Sequence, residues 1–185
     1  MSEFRIASRY AKSLLELADE QGVLEEVNKD MQMFSALSNE NRDFVLMLKS
    51  PVVGHDKKLA ILNQVFKKKV HKLTLAIFEI LTRKHREAYL PAIAIEFHHQ
   101  YNVRKGIEEA TVTTTFALDA KLRKEFESIV TKISGKEVEL TEQVDESLIG
   151  GFVLKIGDRQ IDDSVSSRLR ALKVKFSQNP YVREF

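Results

Sequence analysis

Catalysis needs a nucleophile, a base or a metal held in a defined constellation, and few residues of this chain are spaced to supply one. Ser134-Gly135-Lys136-Glu137 contains the glycine and lysine of a phosphate loop, but no glycine stands upstream and glutamate occupies the place of the magnesium-binding hydroxyl. Gly135 therefore reads as a helix stop. The five histidines, His55, His71, His85, His98 and His99, form no His-Glu-x-x-His pattern, the spacing that sets two imidazoles and a base on one helical face. They read as solvated or interface residues. Asp158, Asp162 and Asp163 are the one acidic cluster that could suit a cation. Their spacing is not that of a calcium loop, and a helix N-terminus accounts for two of the three carboxylates. The chain has no cysteine, which removes thiolate nucleophiles, thiolate metal sites and disulfides together. The expectation is a non-enzymatic protein with no catalytic residue, no metal site and no cofactor.

Lys67-Lys68-Lys69 with Lys72, together with Lys57-Lys58, form a basic local surface. A solvated face is one reading. Contact with a phosphate backbone or anionic lipid is the other, and it makes a nucleic-acid-binding or regulatory adaptor the rival function, marked by steep salt dependence. The overall charge gives that rival little support. Twenty-nine Lys/Arg stand against 27 Asp/Glu, a net +2; up to Lys105 the count is 17 against 13, and beyond it 12 against 14. That asymmetry is too mild to imply nucleic acid.

The elements that must position these residues follow from periodicity. With 185 residues, 43% hydrophobic and 30% charged, the chain can bury a core in one domain or in two small ones. No run approaches the roughly 18 to 20 apolar residues of a membrane span, and a soluble protein is expected. Met1-Ser2-Glu3-Phe4-Arg5 enters a helical pattern at once, without the regions of an export signal, which favours a bacterial or organelle-encoded protein over an imported one. From Phe4 to Lys105 the apolar spacing is helical, broken at Gly22, Asn39 to Asn41, Ser50-Pro51 to Gly54 and Lys67 to Lys69. About six helices result. Leu24, Val27, Met31 and Phe34 step by three and four, as do Leu90, Ile93, Ala94, Phe97 and Tyr101.

After Gly106 the period becomes two, with Ala110, Val112, Thr114 and Phe116 alternating against threonines as in a half-buried strand. Asp119 is placed to cap a helix carrying Leu122, Phe126, Ile129, Val130 and Ile133. Two short strands, Glu137 to Leu140 and Phe152 to Ile156, precede a last helix that starts at Asp162-Asp163-Ser164 and is expected to bury Val165, Leu169, Leu172 and Phe176. The tail after Ser177, with Pro180, is expected to fray or to dock on a partner. The fold class is α+β and predominantly helical: an N-terminal six-helix bundle over residues 1–105, then a small α/β C-terminal domain over 106–185.

Two helices carry surplus apolar surface. At about 100° per residue, Ile6, Leu17, Tyr10, Leu14, Ala7, Ala18, Ala11, Phe4 and Leu15 span, in that order, roughly half the circumference of the first helix. A helix packed on one neighbour needs a stripe little wider than about 100°. The fifth helix presents Leu73, Leu75, Ala76, Ile77, Phe78, Ile80 and Leu81 around nearly its whole perimeter. Either both helices are central in the bundle, or they flank a groove that receives an amphipathic helix from another protein.

Val144-Asp145-x-x-Leu148-Ile149-Gly150-Gly151-Phe152-x-Leu154-x-Ile156-Gly157-Asp158-x-x-Ile161-Asp162-x-Ser164-Val165-x-x-x-Leu169-x-x-Leu172 resembles the signature of the delta subunit of rotary ATP synthases, called OSCP in mitochondria. Arg9-Tyr10-Ala11-Lys12-Ser13-Leu14 with Glu16-Leu17-Ala18, Ser50-Pro51 before a lysine-led helix, and the Arg86 to Gly106 helix are similar to that family in the same order. Asp163, where the family often has glycine, and the strand end Thr113-Thr114-Thr115-Phe116 depart from it; Phe116 is expected to suit a buried strand.

The resemblance implies a non-catalytic stator component of a proton- or sodium-driven ATP synthase, lying peripherally on the cytoplasmic face of the cell membrane and meeting the membrane only through the complex. It implies that the N-terminal domain holds an amphipathic N-terminal helix of the alpha subunit between its first and fifth helices. The groove candidates are then Ile6, Tyr10, Leu14, Leu17, Leu73, Ile77 and Leu81. It implies that the C-terminal domain engages the b subunits of the peripheral stalk, with Asp145, Leu148, Gly150, Gly151, Gly157, Asp158, Asp162 and Ser164 as its signature residues. Independently of the family, Gly150-Gly151 between a turn and a strand permits positive φ and a close backbone approach.

Overall fold

The computed structural model describes residues 3–177; the tail after Ser177 and its expected behaviour lie outside them. The chain divides into two compact units, Met1–Arg104 and Lys105–Phe185. The first is the expected helical bundle: α1 Glu3–Glu20, α2 Leu24–Glu40, α3 Arg42–Lys49, α4 His55–Phe66, α5 Lys72–Arg83 and α6 Leu90–Lys105, with a 3-10 turn at Glu87–Tyr89 before α6. The Arg86 to Gly106 stretch is thus not one helix but a turn and a helix. Local chemistry sets the breaks. Gly22, at φ +70°, reverses the chain after α1, and the Asn41 side chain accepts the Phe44 N–H at 3.1 Å to start α3.

The core of the bundle is aromatic, one ring from each of four helices. Phe34 of α2 lies 5.1 Å from Phe78 of α5 and 5.5 Å from Phe66 of α4, and meets Phe44 of α3 edge-on at 5.7 Å. Such offset pairs add to the area term. Asp30 of α2 is buried and spends its carboxylate on the start of α5, accepting the His71 N–H and the Thr74 hydroxyl, each at 2.7 Å. This fixes where α5 begins.

The second unit is a mixed four-stranded sheet ordered β2-β1-β3-β4, with β1 Ile107–Thr114, β2 Glu137–Val144, β3 Phe152–Ile156 and β4 Arg159–Asp162. β1 and β2 are parallel, so the chain must cross over between them, which it does through α7 Ala120–Ser134. β3 runs antiparallel to β1, and β4 returns as a hairpin. Ala110 and Val112, Leu140, Leu154 and Ile156 face Phe126 and Val130 of α7. α7 ends at Gly135, φ +69°, the helix stop expected.

Several local expectations are corrected. β1 ends at Thr114, and Phe116 is 58% exposed beyond it. Asp119 occupies the N-cap position of α7 without a side-chain capping bond. On α7, Ile129 and Ile133 remain exposed. β2 continues to Val144, and β4 is a further strand, too short and polar for its alternation to mark it. Most consequential is α8, Val165–Ser177, which buries none of its residues. Val165, Leu169, Leu172 and Phe176 are 37%, 52%, 46% and 84% exposed.

α8 is nevertheless firmly rooted. Ser164 accepts the Ser167 N–H, Asp162 accepts the Ser164 N–H and the Ser167 hydroxyl, and Arg168 pairs with Asp163. Across the root, the Asp163 N–H bonds to the Phe152 carbonyl at 2.9 Å and the Val165 N–H to the Gly150 carbonyl at 3.0 Å. This crossing explains the glycine pair. Gly151 has φ +77°, and a Cβ there would lie well inside contact distance of the Asp163 carbonyl oxygen; a Cβ on Gly150 would stand 3.2 Å from Val165 Cγ2. Gly135, also at positive φ, has nothing within 4 Å. Gly151→Ala is therefore expected to destabilise the C-terminal unit by more than Gly135→Ala, for which left-handed backbone alone costs about 1 kcal/mol. Thermal unfolding of the two variants, followed by circular dichroism, checks the order.

Candidate functional site

Of the apolar arc on α1, Leu14, Ala7, Ala18, Ala11 and Leu15 are buried. The other four are not: Ile6, Leu17 and Tyr10 share one edge, with Ile6 and Tyr10 half-buried and Leu17 41% exposed, and Phe4 toward the other edge is 66% exposed. α5 repeats the pattern. Leu73, Phe78 and Leu81 are buried, whereas Ile77 is half-buried and Ala76 and Ile80 are exposed. Both helices pack on α2 and on the 3-10 turn. Of the seven groove candidates, Leu14, Leu73 and Leu81 thus lie within the bundle core, and Ile6, Tyr10, Leu17 and Ile77 keep accessible surface. Ile80, outside the seven, belongs with them by exposure.

The link between the two helices is polar. Arg86, past the end of α5, donates from Nη1 to the Tyr10 hydroxyl at 2.7 Å, and its guanidinium carbon lies 5.8 Å from the Tyr10 ring centroid. The segment bearing Arg86 is held by a buried ion pair. Lys58 Nζ donates to Glu87 Oε1 at 2.7 Å and to the Leu48 carbonyl at 2.8 Å, and His55 Nδ1 lies 3.0 Å from the same carboxylate oxygen. Lys58 and Glu87 are 2% and 3% exposed. The expectation that Lys58 belongs to a basic surface is thereby corrected: only its neighbour Lys57 is exposed. Burial alone would push the Glu87 carboxyl up, but hydrogen bonds and charge from Lys58, with His55, hold it below its ordinary value. Its Oε2 is buried with no hydrogen-bond partner among the described residues. His85, two residues earlier, has φ +58°, and its ring lies 3.7 Å from that of His55 with the two planes tilted by 58°. No pattern in the sequence marks this cluster, because its members are 29 and 32 positions apart.

The remaining sequence candidates divide by place. Lys67, Lys68, Lys69 and Lys72 are exposed around the turn before α5. His71 accepts the Leu73 N–H, and His98 lies within hydrogen-bond distance of Asn28 and Asn102; no group of three or more potential ligands is gathered for a metal among the described residues. In the second unit, Asp145 starts a 3-10 turn at Glu146–Leu148 and is held below the usual carboxylate range by Ser147. The hydroxyl of Ser167, then Ser164, does the same to Asp162. Gly157 turns the β3–β4 hairpin at φ +53°, and Asp158 lines a cavity of about 340 Å³ with Glu108, Ser134 and Arg159. Leu148 is half-buried and Ser164 is buried at the root of α8. Asp145, Leu148, Gly150, Gly151, Asp162 and Ser164 lie in the turn and root that present α8, whose apolar face is uncovered, whereas Gly157 and Asp158 lie at the far end of the β3–β4 hairpin.

The chain is a helical bundle followed by a small mixed α/β unit, each with an apolar face that its own described residues leave uncovered. The family model of the ATP synthase delta (OSCP) subunit matches residues 6–176. The ATP synthase subunit delta of Cytophaga hutchinsonii is 44% identical over 96% of this chain and 97% of its own length, and that of Amoebophilus asiaticus 40% identical over 97% and 98%. Among solved structures, a chain of the Toxoplasma gondii mitochondrial ATP synthase hexamer superposes with a TM-score of 0.73 at 25% identity, covering 94% of this chain and 98% of that one. The chain belongs to the ATP synthase delta (OSCP) family, and is a non-catalytic stator component of the peripheral stalk. Membership of the family implies peripheral association with the membrane complex; among the described residues no helix is long and apolar enough to cross a membrane.

The buried pair sets a stability test. Removing one partner strands a buried charge, so Lys58→Met is expected to cost about 3–5 kcal/mol, and Lys58→Met with Glu87→Leu to recover most of that. The Glu87 carboxyl is depressed on folding, so its contribution is present above its ordinary value of 4.5 and is lost as pH falls through the folded value. Urea unfolding of wild type and Glu87→Gln from neutral to acid pH should show a gap that narrows only on the acid side.

Proposed function

We propose that the accessible strip of α1 and α5 receives an amphipathic helix from the N-terminus of the alpha subunit, and that the uncovered face of α8 engages the b subunits of the peripheral stalk. On this reading residues 1–105 bind the catalytic head and 106–185 the stalk, so that the head is held against the torque of the rotor. The observation that carries it is the sorting on α1: Ile6, Leu17 and Tyr10 stand side by side at one edge of the apolar arc and keep accessible surface, next to the buried run Leu14, Ala7, Ala18 and Ala11, with exposed Phe4 lying toward the other edge. A core helix with random leakage would expose scattered positions. A contiguous apolar edge matches the flank of a groove that takes the apolar face of a second helix.

α8 supplies the other half. Val165, Leu169, Leu172 and Phe176 recur at three- and four-residue spacing on one exposed side, the pattern by which a helix packs along another helix. Two modest attachments then suffice. When one releases, the other keeps it at high effective concentration, and the joint lifetime exceeds either contact alone. The affinity of each comes mainly from apolar burial, about 25 cal/mol per Å² before ordering costs are subtracted.

Two measurements test this. In calorimetric titration of the full chain with a peptide copying the N-terminus of the cognate alpha subunit, Leu17→Asp and Ile77→Asp should abolish binding without lowering the melting temperature, whereas buried Leu14→Asp should unfold the bundle. Unchanged affinity in both accessible-edge variants refutes the head contact. Leu169→Asp and Leu172→Asp should remove binding to the soluble portion of the b subunits and leave the alpha peptide unaffected; retention of b binding refutes the stalk contact.

A further inference from the structure

Arg86 is fixed at both ends and spends little of its hydrogen-bonding capacity. Its backbone N–H closes the end of α5 on the Leu81 carbonyl at 2.8 Å, and its carbonyl accepts the Tyr89 N–H at 3.1 Å. The next residue, Glu87, is anchored by Lys58 and His55. At the far end, Nη1 donates to the Tyr10 hydroxyl while the guanidinium lies over the ring, within cation–π range. A guanidinium has five N–H donors. Only the one to Tyr10 is engaged among the described residues, and the side chain is exposed. The Nε–Nη2 edge, the side that takes a carboxylate through two parallel bonds, is left open next to the accessible apolar edge of α1. Arg83, which is within 3.9 Å of Glu79, and Lys84 stand nearby in sequence.

A helix end with cations in its last turn is ordinary dipole compensation, and Arg83 and Lys84 need no further account. Arg86 differs because it points away from the α5 carbonyls onto an aromatic ring of another helix. We infer that Arg86 is the polar anchor of the α1–α5 docking strip: it takes a carboxylate from an Asp or Glu that flanks the apolar face of the incoming amphipathic helix, and so fixes that helix's axial position. The inference rests on the docking reading above. An apolar strip alone lets a bound helix slide by a turn at little cost, whereas one bidentate charge pair beside it has a single register. Tyr10 then has two duties, packing through its ring and steering Arg86 through its hydroxyl; Glu87 and Lys58 are positioning residues that hold the turn.

The test is titration of the full-length chain with the alpha-subunit N-terminal peptide and with versions in which each Asp or Glu in turn is the corresponding amide. Arg86→Ala should weaken binding by about 10- to 100-fold, the range of a charge-assisted hydrogen bond, with an unchanged melting temperature. Arg86→Lys should restore only part, since a lysine has no fork. One amide substitution in the peptide should weaken the wild type to a similar degree and have no effect on Arg86→Ala, and the dependence of affinity on salt should be shallower in that variant. If Arg86→Ala binds within a factor of two of wild type while Ile77→Asp abolishes binding, the anchor is refuted and the docking strip stands. If Arg86→Ala weakens binding but no amide substitution does, the carboxylate is refuted in favour of carbonyls at the end of the bound helix. If the accessible-edge variants also bind normally, the docking reading fails and the anchor with it.

Discussion

A helix can hide only as much apolar surface as its neighbours cover, and α1 carries more than the rest of its bundle covers. That mismatch shapes the N-terminal unit. Four phenylalanines from four helices fill the centre, and once they are packed the remaining helices can approach from limited directions. α1 turns its alanines and two leucines inward, where small side chains allow close approach, and its bulky edge residues stay at the rim. A bundle of about a hundred residues has little spare core volume in which to absorb them. Closing the rim would require another helix, which the described residues of this unit do not supply.

The turn after α5 follows a different rule. A buried lysine and glutamate gain little net stability from one another, because desolvation offsets most of their attraction. They do impose specificity, since only one arrangement of the 84–89 segment satisfies Lys58, the Leu48 carbonyl and His55 together. His85 at positive φ is the local strain that this arrangement sustains. The polar cluster and the apolar strip therefore act at one place: the first fixes the backbone from which Arg86 reaches Tyr10, on the edge that the second leaves open.

Periodicity disclosed which faces were apolar, and this located the helices, the switch to strand at Gly106 and the surplus on α1 and α5. It could not disclose what covers a face. Leu169 and Leu172 carry the same spacing as Leu90 and Ile93, yet the first pair is exposed and the second buried. Lys58 was illegible for a related reason: beside Lys57 it reads as one of a charged pair, and its burial depends on Glu87, 29 positions on. Phe116 was misplaced because alternation continued past the last paired residue, and β4 was missed because Arg159–Asp162 offers one apolar side chain in four. The glycine pair was read correctly in kind, with the positive φ at Gly151 alone. Most of the signature residues of the C-terminal unit, though not Gly157 and Asp158, lie at the mounting of α8, a role visible only when the Asp163 and Val165 crossings are seen in three dimensions.

That mounting has a mechanical meaning. α8 leaves the sheet with no slack, tied within a residue or two of its start to the backbone on either side of Gly151. The helix continues directly from the edge strand β4 and is also tied by two backbone hydrogen bonds to the residues flanking Gly151, so a load on its first turn is shared between β4 and the start of the central strand β3. The junction acts as a stiff bracket, so a twist arriving at α8 is delivered to the sheet as stress and not lost in the bending of a tether.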